Sequence, residues 1–146
     1  METIKKTRVG CYGLIINGDK IALIKKSRGG YKGLLDLPGG GIEHGEKPEE
    51  TLVRELMEEA GVEVIDYKLL AVTSTRIKWH DDEYDEDLHQ IGILYKVDVK
   101  DYILKEDGDG LDSNGCSFYD IEKLSQSEIT PFTLEGLQLL GFKISK

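Results

Sequence analysis

The segment 35–62, LDLPGGGIEHGEKPEETLVRELMEEAGV, restricts the fold of this chain more than any other part of it. Its first half contains three consecutive glycines, Gly39 to Gly41, which are not expected in regular structure and mark a loop. Its second half predicts a helix that starts at Pro48, a residue suited to a first helical turn. Gly61 suits a left-handed cap at the end of that helix. The segment therefore predicts a glycine-rich loop that leads directly into one helix.

The predicted helix carries an apolar arc along one side. At about 100° of rotation per residue, five apolar residues fall on this arc, which is typical of a helix face packed against a core. These residues are Leu52, Val53, Leu56, Met57 and Ala60. We therefore predict that this side of the helix is buried.

Three glutamates, Glu55, Glu58 and Glu59, share another arc of the same helix. Like charges three or four residues apart cost an isolated helix about 0.2–0.5 kcal/mol per pair. A divalent cation would offset this repulsion, because carboxylate and carbonyl oxygens are the ligands that Mg²⁺ and Mn²⁺ prefer. The alternative is a solvated acidic face, which is common for glutamates on helices.

The rest of the chain predicts strands around this helix and a second helix near the end. Residues 8–16 and 20–26 are rich in apolar residues and flank Asn17-Gly18, a pair typical of a tight hairpin turn with positive φ. Further strands are predicted at 62–74, 89–99 and 116–119, a turn at 106–115, and a helix within 131–142. We expect a mixed α/β fold with helices packed on a sheet, in a single domain over 1–146.

Charge and hydropathy exclude several classes of protein. The net charge is −9, and the acidic loop predicted at 81–87, DDEYDED, contributes six of the negative charges. Without clustered Lys and Arg, the chain is not expected to bind a nucleic acid duplex. No apolar run approaches the roughly 20 residues of a membrane span, and the start lacks a secretory signal, so a cytoplasmic location is expected by default. Cys11 and Cys116 lack metal-ligand spacing and are predicted to be free, packed thiols.

The spacing within the glycine-rich segment is more specific than its composition. Gly40 is followed after five residues by Glu46, and after seven more by RELMEEAGV, which starts at Arg54. This arrangement resembles the signature of the Nudix hydrolase family at all nine of its specified positions. The one nearby departure is Leu35, where many members carry tryptophan. The resemblance implies a Nudix-type α/β/α sandwich with a mixed sheet, extending over nearly the whole chain.

The resemblance also implies an activity, which is hydrolysis of a nucleoside diphosphate linked to another group, or of a nucleoside triphosphate. Water would attack a phosphorus atom, and the cofactor would be Mg²⁺ or Mn²⁺. The implied metal ligands are Glu55, Glu58 and Glu59, with the carbonyl oxygen of Gly39 or Gly40. The absence of other subfamily motifs favours a small nucleoside triphosphate or an oxidised nucleotide as substrate.

Further roles follow from the same resemblance. Arg54 and Glu46 are implied to form a pair that orients the glutamates, because a guanidinium can hold a carboxylate at two points; the alternative is a surface salt bridge of little value. The general base is left open between Glu55 and the acidic-loop residues Glu83 and Glu86; the alternative for that loop is a solvated, mobile charge run. Four residues are candidates for substrate contact: Trp79 for stacking on a base, Arg28 for phosphate oxygens, and the acidic-loop residues Glu83 and Glu86.

Two rival functions share this expected fold. One is a module that senses a nucleotide without cleaving it, although such modules tend to lose the glutamates that this chain retains. The other is an isoprenoid diphosphate isomerase, which would need a catalytic cysteine, Cys11 or Cys116, in the pocket. Homodimers are common among such proteins, so a homodimer is left open.

Overall fold

The computed structural model describes residues 2–107 and 113–146, so the centre of the turn predicted at 106–115 lies outside the described residues. The strands in these ranges are β1 (Ile4–Leu14), β2 (Ile16–Asn17), β3 (Lys20–Lys26), β4 (Leu35–Asp36), β5 (Gly39–Gly41), β6 (Val64–His80), β7 (Asp85–Val99) and β8 (Ser113–Asp120). The α-helices are α1 (Pro48–Ala60) and α2 (Pro131–Leu139). Among the described residues, no helix is both long enough and apolar enough to cross a membrane.

The described strands form two sheets that differ in their pairing. In the first sheet the order is β5-β1-β7-β6. Strands β1 and β7 are parallel and the other pairs are antiparallel, so this sheet is mixed, as predicted. In the second sheet, β3 is central and pairs antiparallel with β2, β4 and β8.

Helices α1 and α2 pack on opposite faces of the strands, which gives the expected α/β/α layers. The alternation of side chains along β3 shows this arrangement, because successive residues of a strand point to opposite faces. Ala22 and Ile24 join the buried cluster around Leu56 of α1, whereas Ile21 and Leu23 join the cluster around Leu137 of α2. The predicted mixed α/β fold is therefore confirmed.

The first hairpin differs from its prediction. The strand expected at 8–16 is interrupted at Ile15, where the chain passes from the first sheet to the second. Leu14 and Ile15 are both fully buried, in the two different clusters. The turn residues are Gly18 and Asp19, and only Gly18 has a positive φ, of 64°, among the described residues of this turn. A positive φ at Asn17 was therefore a wrong expectation, and a glycine in first position suits a type II′ turn.

The acidic loop is also shorter than predicted. Strand β6 continues to His80, and β7 starts at Asp85, which leaves residues 81–84 as the tip of a long hairpin. The carboxylate of Asp81 stabilises this tip by accepting hydrogen bonds from the backbone N–H groups of Glu83 (2.8 Å) and Tyr84 (2.6 Å). Exposed and partly buried residues alternate along β6 as far as His80, beyond the predicted end at 74, and the acidic residues from Asp85 to Asp87 belong to β7.

Helix α1 has the predicted ends but a narrower buried stripe. It starts at Pro48 and ends at Ala60, and the next residue, Gly61, has a φ of 70° and forms the expected left-handed cap. Leu52, Leu56 and Ala60 are fully buried, but Val53 and Met57 are 45% and 49% exposed, which corrects the predicted apolar face. Buried residues are therefore spaced by four, and the fully buried Thr51 extends the stripe on the polar side.

Candidate active site between the two sheets

The consecutive glycines form strand β5, not the loop expected from the sequence, and bring backbone against helix α1. Gly39 has a φ of 150°, and a Cβ there would lie 2.1 Å from the carbonyl oxygen of Cys11. A Cβ on Gly40 would lie 2.5 Å from the carboxylate of Glu55. Glycine is required at Gly39, where a side chain would displace backbone, and a side chain at Gly40 would displace the carboxylate of Glu55. The backbone of β5 therefore lies directly beside the acidic face of α1.

Arg54 connects this acidic face to Glu46 on the preceding loop. Its Nε and Nη2 atoms donate to the two carboxylate oxygens of Glu46, at 2.8 and 2.9 Å. Its Nη1 atom donates to Glu55 at 2.9 Å and to Glu58 at 3.3 Å, and Nη2 also donates to the carbonyl oxygen of Gly41 at 3.3 Å. The guanidinium thus holds two elements of the site at a defined separation. The predicted contact between Arg54 and Glu46 is present; its role in orienting the glutamates remains a prediction.

The electrostatics of this pair favour its ionised form. Hydrogen bonds from Arg54, followed by one from the backbone N–H of Glu43, lower the pKa of Glu46 to about 2. The hydroxyl of Thr51 donates a further hydrogen bond, at 2.8 Å. The hydrogen bond to Glu46 in turn raises the pKa of Arg54 above its ordinary value. Both groups therefore remain charged from weakly acidic to alkaline pH.

The three predicted metal ligands of α1 face a common space. Glu55, Glu58 and Glu59 line a cavity of about 220 Å³ together with the glycines of β5. Among the described residues, no set of three His, Cys, Asp or Glu side chains is already gathered tightly enough to enclose an ion. Arg54 bonds to two of the three carboxylates, which accounts for their present positions.

The donor chemistry of this cavity still fits a hard divalent cation. Glutamate carboxylates lie beside the glycine backbone of β5, and Glu58 is 60% exposed and therefore free to change its rotamer. Mg²⁺ is usually held by one or two carboxylates, several waters and the substrate phosphates, rather than by a closed protein cage. An open arrangement of carboxylates is consistent with that mode of binding.

A larger cavity of about 510 Å³ adjoins the first and contains the other predicted site residues. Arg8, Lys26 and Gln90 line both cavities, so the two form one cleft between the sheets. At the far end of the cleft, the rings of Trp79 and Tyr84 lie 6.0 Å apart between centroids. The four predicted substrate-contact residues all line this second cavity: Arg28, Trp79, Glu83 and Glu86.

The residues that line the middle of the cleft were not predicted from the sequence. Arg8 of β1 and Gln90 of β7 are direct neighbours across the parallel pair, although they are far apart in sequence. The sequence did contain a signal for this part of the cleft, because polar residues share one face of each strand: Lys6 and Arg8 in β1, and Glu86 and Gln90 in β7. Asp36 was also missed. Its Oδ1 accepts hydrogen bonds from the backbone of Leu37 at 2.9 Å and the hydroxyl of Thr130 at 2.6 Å, and burial raises its pKa.

Neither cysteine is placed as a reactive group. Cys11 and Cys116 are free and fully buried, as predicted for packing residues. Burial raises the pKa of Cys11 to about 11 and that of Cys116 to about 12. Neither thiol lines the cleft. A thiol-dependent isomerase is therefore not supported by this arrangement.

Comparison with known proteins identifies a single family over most of the chain. The NUDIX domain model matches residues 5–140. The chain is 37% identical to the ADP-ribose pyrophosphatase of Methanocaldococcus jannaschii over 112 residues, which cover 77% of this chain and 61% of that protein. It is 35% identical to nucleoside triphosphatase NudI of Salmonella typhimurium over 89 residues, 59% of this chain and 58% of that protein. The matched part thus spans about three fifths of each of these relatives.

Solved structures show the same fold. The MutT NUDIX hydrolase from Burkholderia pseudomallei aligns with a TM-score of 0.71 at 25% identity, covering 92% of this chain and 98% of that one. The MutT protein of Bacillus halodurans aligns with a TM-score of 0.71 at 18% identity, covering 94% and 85%.

Proposed function

This chain belongs to the NUDIX domain family, and from that premise we propose that it is a metal-dependent hydrolase of nucleotide phosphoanhydride bonds. The observation that carries the proposal is the cleft itself. Its cavities, joined by Arg8 and Lys26, have three helix glutamates at one end and paired aromatic rings at the other. A nucleotide has the complementary order of groups: a phosphate chain, then a sugar and an aromatic base.

The phosphate chain is assigned to the end that contains Glu55, Glu58 and Glu59. When bound there, Mg²⁺ or Mn²⁺ would neutralise charge on the phosphate oxygens and lower the pKa of the attacking water. Arg8 and Lys26 lie between the two cavities, where their positive charges can meet further phosphate oxygens. Arg54 contacts Glu55, Glu46 and the carbonyl oxygen of Gly41, so it would hold the two glutamates in position beside the β5 backbone.

The nucleoside is assigned to the opposite end. Trp79 and Tyr84 present aromatic surface for a base, and stacking of this kind contributes about 1–3 kcal/mol. Glu83 and Glu86 line the same cavity. Their carboxylates accept hydrogen bonds from hydroxyl and amino groups and repel phosphate, so they favour an uncharged sugar or base. This placement assigns Glu83 and Glu86 to substrate recognition and leaves Glu55 as the candidate general base.

The substrate class that follows is a nucleoside diphosphate joined to a second group, or a nucleoside triphosphate. One relative is named as an ADP-ribose pyrophosphatase and another as a nucleoside triphosphatase. We therefore propose that the chain acts on one of these two classes, with a single nucleoside bound at Trp79.

A panel assay tests the proposal. The chain is incubated with ADP-ribose, other nucleoside diphosphate derivatives, the nucleoside triphosphates and their oxidised forms, with and without Mg²⁺, and the products are identified by mass. We expect cleavage of at least one class, only when Mg²⁺ or Mn²⁺ is present. Binding of a nucleotide without any product would instead identify a sensing module and would overturn the proposed hydrolysis.

Replacing Trp79 with alanine tests where the nucleoside binds. We expect KM for the preferred substrate to rise roughly tenfold, the equivalent of about 1.4 kcal/mol of lost stacking, while kcat changes little. Trp79→Phe retains an aromatic face and serves as the matched control. Because Trp79 is the single tryptophan, nucleotide binding should also change the intrinsic fluorescence of the wild type. An unchanged KM in Trp79→Ala would place the base elsewhere.

A further inference from the structure

The outer part of strand β6, Val64–Leu70, is an exposed apolar edge; we call it the edge segment. Strand β6 is last in its sheet and, in the described chain, pairs with β7 alone. Every residue from 65 to 69 is exposed, including Ile65 at 63%, Tyr67 at 41% and Leu69 at 54%. A strand packed on one side would bury alternate residues, so neither side of residues 65–69 is buried, although the ring of Tyr67 contacts that of Tyr95 and the ends of the segment, Val64 and Leu70, pack against the core clusters. Apolar edges of this kind are sites of association with another strand.

Each of the two charged residues of the edge segment faces a residue of the same charge on the neighbouring strand β7. Asp66 lies directly opposite Asp98 of β7, and Lys68 lies directly opposite Lys96. Like charges facing each other across a strand pair are destabilising. The ion pair nearby joins Lys96 to Asp98 along β7, at 3.9 Å. Among the described residues, no ion pair within 4.0 Å includes Asp66 or Lys68.

We propose that a second copy of this chain binds the edge segment as an antiparallel strand, with a two-fold axis through Tyr67. In this register, Asp66 lies opposite Lys68 of the second copy, and the symmetry repeats that pair. Ile65 lies opposite Leu69 of the second copy, also twice. Each charge that faces a like charge in its own chain thereby gains an opposite charge from its partner. The segment is complementary to itself, so the occupant is a second copy.

No other register places both Asp66 and Lys68 opposite a charge of opposite sign. An axis through Val72 places Lys68 opposite Arg76 of the second copy, which adds like-charge repulsion. An axis through Leu70 places Lys68 opposite Val72 and leaves both charges without a counter-charge. The register irregularity between Leu69 and Ala71 also limits regular pairing to the edge segment. Trp79 lies near the far end of β6, so the cleft stays open, and this dimer is independent of the proposed function.

Charge-reversal variants test the dimer by sedimentation over a wide range of concentration. Asp66→Lys and Lys68→Asp each place like charges opposite each other twice at the interface, and we expect each variant to raise the dimer dissociation constant on the order of tenfold. Mixing the two variants restores both opposite-charge pairs, so the mixture should form heterodimers as tightly as the wild type. Glu122→Lys, an exposed charge reversal outside the sheet, is the control that should leave association unchanged.

The same variants separate loss of the interface from loss of the fold. Asp66→Lys introduces an opposite charge facing Asp98 in its own chain, so its thermal unfolding should not fall below that of the wild type at concentrations where both are monomers. A wild type that remains monomeric at all concentrations would overturn the proposal. A dimer that neither variant weakens, or that mixing fails to restore, would overturn it equally, because its interface would lie elsewhere.

Discussion

Replacing Glu59 with glutamine is expected to lower kcat by about 10²- to 10⁴-fold, with little change in the fold. The variant keeps the shape of the side chain and removes a negative charge from the cavity beside the β5 glycines. Charge stabilisation by a bound divalent ion is worth several kcal/mol in the transition state, and each 1.36 kcal/mol corresponds to a factor of ten in rate. Steady-state kinetics with saturating Mg²⁺ measures the loss.

The metal affinity provides a second readout for this variant. Calorimetric titration with Mg²⁺ or Mn²⁺, in the presence of a non-hydrolysable nucleotide, should show weaker uptake by Glu59→Gln than by the wild type. Glu63→Gln is the matched control, because Glu63 is an exposed glutamate just beyond the end of α1. If Glu59→Gln retained full turnover and full divalent-ion affinity, the assignment of the α1 glutamates to a metal site would be wrong.

Local chemistry explains why the ends of α1 were predictable. Proline at the start and glycine at the end act through their own backbone angles, so Pro48 and Gly61 determine the helix ends without information from the rest of the fold. The contact between Arg54 and Glu46 has a similar basis, because the spacing of the family signature already implies it. The structure contains this contact at two points, at 2.8 and 2.9 Å.

Features that depend on distant packing could not be read from the sequence. The cleft residues Arg8 and Gln90 become neighbours only because β1 and β7 pair in parallel. The exposure of Val53 and Met57 depends on how far the sheet extends beneath α1, which an apolar arc does not reveal. Conversely, Thr51 is buried because its hydroxyl has a partner in Glu46. Apolar character therefore predicted the orientation of α1 but not the width of its buried stripe.

Replacing Arg54 with lysine is expected to lower kcat about 10- to 100-fold, the usual range for residues that orient metal ligands. Lysine keeps the charge but cannot reproduce the planar fork that reaches Glu46, Glu55 and Glu58 together. Divalent-ion affinity should fall with kcat. Arg76→Lys is the matched control, since Arg76 bonds to Asp87 with two nitrogens in the β6–β7 hairpin, outside the carboxylate cavity. Equal losses in both variants would indicate a general effect on stability.

The pH dependence of unfolding isolates the same contact. The pKa of Glu46 is lowered from 4.5 to about 2 in the folded chain, so its ionised form stabilises the fold fully above pH 4.5 and progressively less as the pH falls towards 2. The Tm difference between wild type and Glu46→Gln should therefore be constant from neutral pH down to about 4.5 and shrink below it. In Arg54→Lys the Glu46→Gln change should cost less, because contacting residues are not additive. A Tm difference that stays constant to pH 2, or full additivity of the two changes, would contradict a coupled Arg54–Glu46 pair.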